Sequence, residues 1–175
     1  MDASHILIPL VALAASLITL ISGFGLGTLL LPVFALFFPV EVAIGLTALV
    51  HLLNNLFKIG LLWRNIHWST VLRFGVPGIL GSYLGAQLML MLGARDALYQ
   101  GLVHPVDPLD LVIAALMLVF GLFEISKTLN TLSLPPRWLV PGGFISGFFG
   151  GLSGHQGALR SLFLLRSGLA KEAFI

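Results

Sequence analysis

The sequence contains no cysteine, which excludes disulfide bonds, thiolate metal sites and cysteine nucleophiles. Charge is also scarce, since only 9% of the residues are Asp, Glu, Lys or Arg. A soluble domain needs a surface that is about 25–35% charged, so this chain cannot present one. Its nine basic and seven acidic residues are scattered and form no basic stripe, which argues against a nucleic-acid partner.

Apolar residues make up 58% of the chain, and the mean hydropathy is +1.05. Runs of about 20 apolar residues, the length that crosses a bilayer, recur along the whole chain. We predict an all-α integral membrane protein with about five transmembrane helices, of which the second to fourth lie at 42–63, 71–92 and 109–125. The first run is therefore not simply a cleaved signal peptide, and Asp2 stands where such a peptide is usually basic.

The first and fifth apolar segments, 6–38 and 139–165, are each interrupted by glycines. A helix over 6–38 would be about 50 Å long, too long for a hydrocarbon core of about 30 Å, and Gly23, Gly25 and Gly27 place its break at 22–28. The tetrapeptide Ile-Ser-Gly-Phe begins at Ile21 and again at Ile145, where it leads into a second glycine-rich stretch at 150–157. Backbone groups released from a helix at membrane depth need protein or water around them, so two breaks at repeated positions predict a site.

The third span has small residues at regular intervals of four. They lie four apart at Gly78, Ser82 and Ala86, and again at Gly81 and Gly85. Such a spacing lets another helix approach closely. Pro77, between two nearby glycines, also predicts a kink near the start of this span.

The repeated tetrapeptide divides the chain. We predict a first four-helix repeat at 1–132, a cytoplasmic turn at 133–138, and the start of an incomplete second repeat at 139–175, so the chain is expected to be truncated. Lys58, Arg64 and Arg73 gather at the turn after the second span, and Lys127 and Arg137 lie near the turn at 133–138. These basic residues predict that both turns are cytoplasmic.

Several motifs together resemble the TauE/SafE sulfite exporter family, also called the toluene-sulfonate uptake permease family. In the first half these are Gly23-Phe24-Gly25-Leu26-Gly27 with Pro32, then Glu41 to Thr47, then Arg64-Asn65-Ile66-His67-Trp68. In the second half they are Gly147 to Gly154, then Leu165 to Leu169 and Lys171-Glu172. The sequence departs from the family pattern at Leu26 and Thr28 around Gly27, and at His155-Gln156.

The resemblance implies a two-repeat permease of about eight helices in the bacterial inner membrane. It implies the transport of small sulfur-containing or organic anions, such as sulfite and sulfonates, by alternating access around the two broken helices. A coupling proton or sodium ion and a homo-oligomeric assembly belong to the same expectation, and no cofactor or metal does.

The residue types at the breaks suit an anion, because broken helices expose backbone N–H groups and a positive dipole end. Arg160 is the best candidate cation, and His51 with Asn54 and Asn55 forms one polar stripe on the second span. The candidate substrate-binding residues are Ser22, Gly23, Gly25, Gly27, Thr28, His51, Asn54, Asn55, Gly150, Gly151, Ser153, His155, Gln156 and Arg160. We expect the residues of the second break, at 150–157, to determine most of the selectivity for the substrate.

Each of these interpretations has an alternative. The glycines also permit close helix packing, the polar stripe also serves as interhelical hydrogen bonding, and Arg160 also fits an interfacial position. Lys58, Glu41, Glu124 and Lys127 lie near predicted helix ends, where reaching the interface explains them, and Glu124 is spaced to pair with Lys127.

The alternative function is a membrane scaffold or biogenesis factor that transports nothing. An intramembrane enzyme would require His51 and His155 to converge with a third ligand, and no carboxylate has metal-ligand spacing from either. We therefore predict that the protein is not an enzyme.

Overall fold

The computed structural model describes residues 9–10, 12–14, 17, 26–101, 105–126, 134–155 and 157–164. Its helices are α1 (Leu26–Ala35), α2 (Val40–Leu62), α3 (Val76–Gly93), α4 (Pro108–Ile125), α5 (Leu139–Ser153) and α6 (Gly157–Leu164). Short 3₁₀ turns occupy Trp63–Asn65 and Pro136–Trp138. The predicted all-α membrane fold is confirmed.

Three helical segments of the described residues are long and apolar enough to cross a membrane, namely Val40–Asn65, Trp68–Gly93 and Pro108–Ile125. They agree within a few residues with the predicted second, third and fourth spans. The helices in the two segments that were predicted to be broken are shorter than these three spans. Helix α1 begins at Leu26, inside the predicted first break, and α5 ends at Ser153 before α6 begins at Gly157.

The predicted kink before Pro77 is a π-helical turn. Val71–Gly75 forms this turn between the short helix Trp68–Thr70 and α3. Proline has no backbone N–H and crowds the preceding turn, so the regular hydrogen-bond ladder is disturbed there. The helix nevertheless continues, and the whole segment Trp68–Gly93 remains one span.

The most extensive helix contact joins α3 to α5. Glycines of both helices lie against carbonyl groups of the other, so that a side chain at any of them would meet backbone; they are Gly78, Gly81, Gly85, Gly143, Gly147 and Gly151. The small-residue face predicted on the third span is therefore confirmed, and α5 is its partner. This contact joins the two predicted repeats, whose boundaries stay a prediction.

A buried apolar cluster joins α1, α2 and α4. Its members are Leu30, Leu31, Phe34, Ala43, Ile44, Leu109 and Ile113. Pro39 is the last residue of the turn between α1 and α2 and occupies the N-cap position of α2. This cluster packs the second half of α1 against the first turns of α2 and α4.

The loop before α4 contains a feature that the sequence did not predict. Tyr99–Gln100 pairs antiparallel with Pro105–Val106 as a two-stranded ribbon. Asp107 then caps α4, because its carboxylate accepts from the N–H of Asp110 at 3.0 Å and the Asp110 carboxylate accepts from the N–H of Asp107 at 3.1 Å.

Replacing Asp107 with Ala is expected to destabilise α4. The change removes the side chain that accepts from the helix N-terminus, a loss of about 1 kcal/mol, and lowers the melting temperature by about 3 °C. Thermal unfolding of the detergent-purified protein, followed by circular dichroism, measures the effect. Asp96→Ala, at an exposed position in the same loop, is the matched control, and equal melting temperatures for both variants would contradict the role of the cap.

Candidate functional site

Glycines from the two predicted breaks meet in the structure. Gly27, in the first turn of α1, lies against Gly154, which follows α5 with a left-handed backbone (φ 72°). A methyl group added at Gly27 would lie 2.5 Å from the carbonyl oxygen of Gly154 and 3.4 Å from Nε2 of His51. The two halves of the chain therefore touch where the sequence places their breaks, and His51 lies beside that contact.

Two histidines at this contact have buried ring nitrogens without partners. Nε2 of His51 and Nε2 of His155 form no hydrogen bond within the described part of the chain. His155 is 4% exposed and directly follows Gly154, whose carbonyl group lies beside Gly27 together with Nε2 of His51. Because buried polar atoms are nearly always hydrogen-bonded, two such atoms in one place indicate a functional site.

The end of α5 fixes the orientation of His155. Its Nδ1 lies 2.9 Å from the carbonyl oxygen of Ser153, and its backbone N–H donates to the Ser153 hydroxyl at 3.4 Å. A carbonyl oxygen can only accept, so Nδ1 carries the hydrogen and Nε2 has the lone pair in the neutral ring. The ring of Phe120 in α4 stacks on this imidazole, with 6.0 Å between centroids.

A cavity of about 580 Å³ lies between α2, α3, α5 and α6. Lys58 of α2 and Arg160 of α6 both line it, together with the amide of Asn55. The other polar side chains in the described lining carry no carboxylate; they are Asn65, His67, Thr70 and Ser82. Two cationic side chains therefore line one largely apolar cavity, an environment that suits an anionic ligand.

Lys58, which the sequence predicts to reach the membrane interface, is buried within the protein. Its side chain is only 6% exposed, because it points into the cavity that α3, α5 and α6 close over this face of α2. The sequence did contain a signal, since Lys58 comes seven residues after His51 and so continues the same helical face as Asn54 and Asn55.

Glu124 also has a role that the sequence did not indicate. The hydroxyl of Thr28 donates to its Oε1 at 3.0 Å, which links the end of α4 to the first turn of α1. The two residues are 96 positions apart, so no local pattern could have paired them. Its predicted partner Lys127 lies outside the described residues.

The remaining predicted site residues in α2 and α5 are held within the protein. The side chain of Asn54 is buried, at 9% exposure. The carbonyl of Gly150 accepts a hydrogen bond from the N–H of Gly154 at 2.8 Å, and Gly151 packs on the carbonyl of Ser82. Ser153 donates to the carbonyl of Phe149 at 2.8 Å. Ser22, Gly23, Gly25 and Gln156 lie outside the described residues, and the substrate contacts of the whole set stay a prediction.

A multi-pass helical membrane protein, whose polar side chains gather where two broken segments meet, has the architecture of a membrane transporter. The family model described as Sulfite exporter TauE/SafE matches residues 8–175. The chain therefore belongs to this family of membrane transporters, and the resemblance seen in the sequence is confirmed. No curated protein and no solved structure matches the chain at a significant level.

Proposed function

We propose that the protein is an anion permease of the bacterial inner membrane, which binds a small sulfur-containing or organic anion in the cavity lined by Lys58 and Arg160. The observation that carries this proposal is the pair of cations in one cavity beside the meeting point of both breaks. Alternating access around that meeting point would move the anion across the membrane.

The cations supply the electrostatic part of the argument. Two positive charges inside a membrane segment are costly, and a negative charge placed between them offsets both their burial and their mutual repulsion. Lys58 is a compact point charge, whereas the guanidinium of Arg160 is planar and holds an oxyanion through two parallel hydrogen bonds. Asn55 adds an amide donor to the same cavity.

The shape of the cavity supports an anion with an apolar part as well as a bare oxyanion. Its walls include the side chains of Ile59, Leu62, Phe74 and Ile79. A volume of about 580 Å³ lies within the range of sites for small molecules, roughly 300–1,000 Å³. Sulfite and aliphatic or aromatic sulfonates are therefore all included in the proposed substrate class.

The predicted breaks are where we expect the backbone to move during transport. Gly27 lies in α1, and α6 follows Gly154 by three residues, so both helices reach the contact of Gly27 with Gly154. A glycine with positive φ permits a change of backbone direction that other residues resist. We propose that α1 and α6 pivot at these positions as access alternates.

A flux assay tests the proposal. The purified protein is reconstituted in liposomes loaded with sulfite, methanesulfonate, toluenesulfonate or acetate, and exchange with labelled anion outside is followed. We expect sulfite or a sulfonate to exchange faster than through protein-free liposomes. Exchange of every anion at the rate of the lipid leak would refute the proposed function.

A further inference from the structure

We propose that His51 and His155 form a buried proton site that couples proton movement to anion binding in the neighbouring cavity. This inference rests on the proposed function and adds the coupling ion and the residues that carry it. It begins from the two Nε2 atoms, which are buried without partners in the described part of the chain.

The two nitrogens are not part of the described lining of the anion's cavity, which includes neither His51 nor His155. Nε2 of His51 faces the close contact of Gly27 with the carbonyl group of Gly154. A buried imidazole nitrogen without a hydrogen-bond partner is suited to taking up and releasing a proton.

The orientation of His155 suits it to this task. Its Nδ1–H donates to the carbonyl of Ser153, so Nε2 is the atom that binds a proton. The proton comes from a water molecule or hydronium ion: an N–H bond forms at Nε2 as an O–H bond breaks, and the reverse step returns the proton to water. The stacked ring of Phe120, 6.0 Å away between centroids, can contact the resulting cation through its π face.

The surrounding charges explain the coupling. The described charged and titratable groups around the pair are Lys58 on α2, Arg160 on α6, and Glu124 on α4, whose carboxylate accepts from Thr28 of α1; α5 has none. A proton on either histidine adds one positive charge to this set. An anion in the cavity offsets that charge, so proton and anion each favour the binding of the other.

The test measures the number of protons that move with each anion. The full chain is reconstituted in liposomes containing a pH-sensitive dye, with the membrane potential held at zero by potassium and valinomycin. Methanesulfonate is the probe, because it is permanently ionised and carries no proton of its own. Its exchange and the internal pH change under a methanesulfonate gradient are recorded together.

We expect the wild-type protein to move protons with methanesulfonate, and we expect His155→Gln and His51→Gln to lower the proton-to-anion ratio about tenfold, a usual size for a coupling between two sites. The ratio does not depend on how much of a variant folds and inserts. His104→Gln, in the loop between the third and fourth predicted spans, is the matched control and should keep the wild-type ratio.

The outcomes separate the two proposals. Absence of methanesulfonate exchange by the wild type refutes sulfonate transport, and the inference with it. Exchange without proton movement, or an unchanged ratio in both glutamine variants, overturns the inference and leaves the proposed function standing. If a glutamine variant inserts as the wild type does but no longer binds methanesulfonate, the histidine holds the anion instead of the proton, which also overturns the assignment.

Discussion

Arg160→Gln is expected to raise the dissociation constant for a bound oxyanion about 30-fold. The substitution removes a charge-assisted hydrogen bond worth about 2 kcal/mol, and each 1.4 kcal/mol is about tenfold in affinity. Isothermal titration of the detergent-purified protein with sulfite or methanesulfonate measures the change. Arg160→Lys keeps the charge but loses the planar fork, so its affinity should lie between those of the wild type and the glutamine variant.

Arg64→Gln is the matched control for this substitution. Arg64 is exposed, its guanidinium lies 5.5 Å from the centre of the Trp63 ring, and it does not line the cavity. The control changes the net charge by the same amount, so a purely long-range effect of charge would appear in both variants. Equal anion affinities for Arg64→Gln and Arg160→Gln would exclude Arg160 as a direct ligand.

Gly147→Leu is expected to produce the largest loss of stability. A Cβ at Gly147 would meet the backbone of Gly78, which cannot move aside as a flexible side chain would. Forcing α3 and α5 apart costs about 3 kcal/mol, which corresponds to a fall of about 10 °C in the melting temperature. Heating the detergent-purified variant, followed by circular dichroism and by the loss of its monodisperse peak, measures this.

Gly60→Leu is the control for the packing argument. A Cβ at Gly60 meets nothing within 4 Å, so a leucine there adds apolar surface on an exposed face of α2 and improves helix propensity by roughly 1 kcal/mol. We expect its melting temperature to equal or exceed that of the wild type. If Gly60→Leu and Gly147→Leu had the same melting temperature, the close approach of α3 and α5 would not be a source of stability.

The sequence was sufficient for the parts of the fold that the membrane dictates. An apolar run must be about 20 residues long to cross the hydrocarbon core, so the second to fourth spans could be placed within a few residues. Backbone geometry made the second break predictable too, because Gly154 adopts the positive φ that glycine allows. The small-residue face of α3 was visible for the same reason, although its partner α5 was not.

The candidate site was predictable only in outline. The repeated tetrapeptide indicated that the two breaks belong together, but the burial of Lys58 depends on helices distant in the chain. The bond from Thr28 to Glu124 and the closeness of His51 to His155 likewise arise from tertiary packing. Such contacts have no local sequence period, and so a single sequence could nominate these residues without assembling them.

The glycine contact between α3 and α5 has a consequence for how the molecule can move. Because the backbone of each helix lies against carbonyl groups of the other, no side chain fits between them at these glycines. These two helices, one from each predicted repeat, should therefore move together as a single rigid body. Within the described residues, the short helices α1 and α6, which carry Thr28 and Arg160, are then left to move relative to that body.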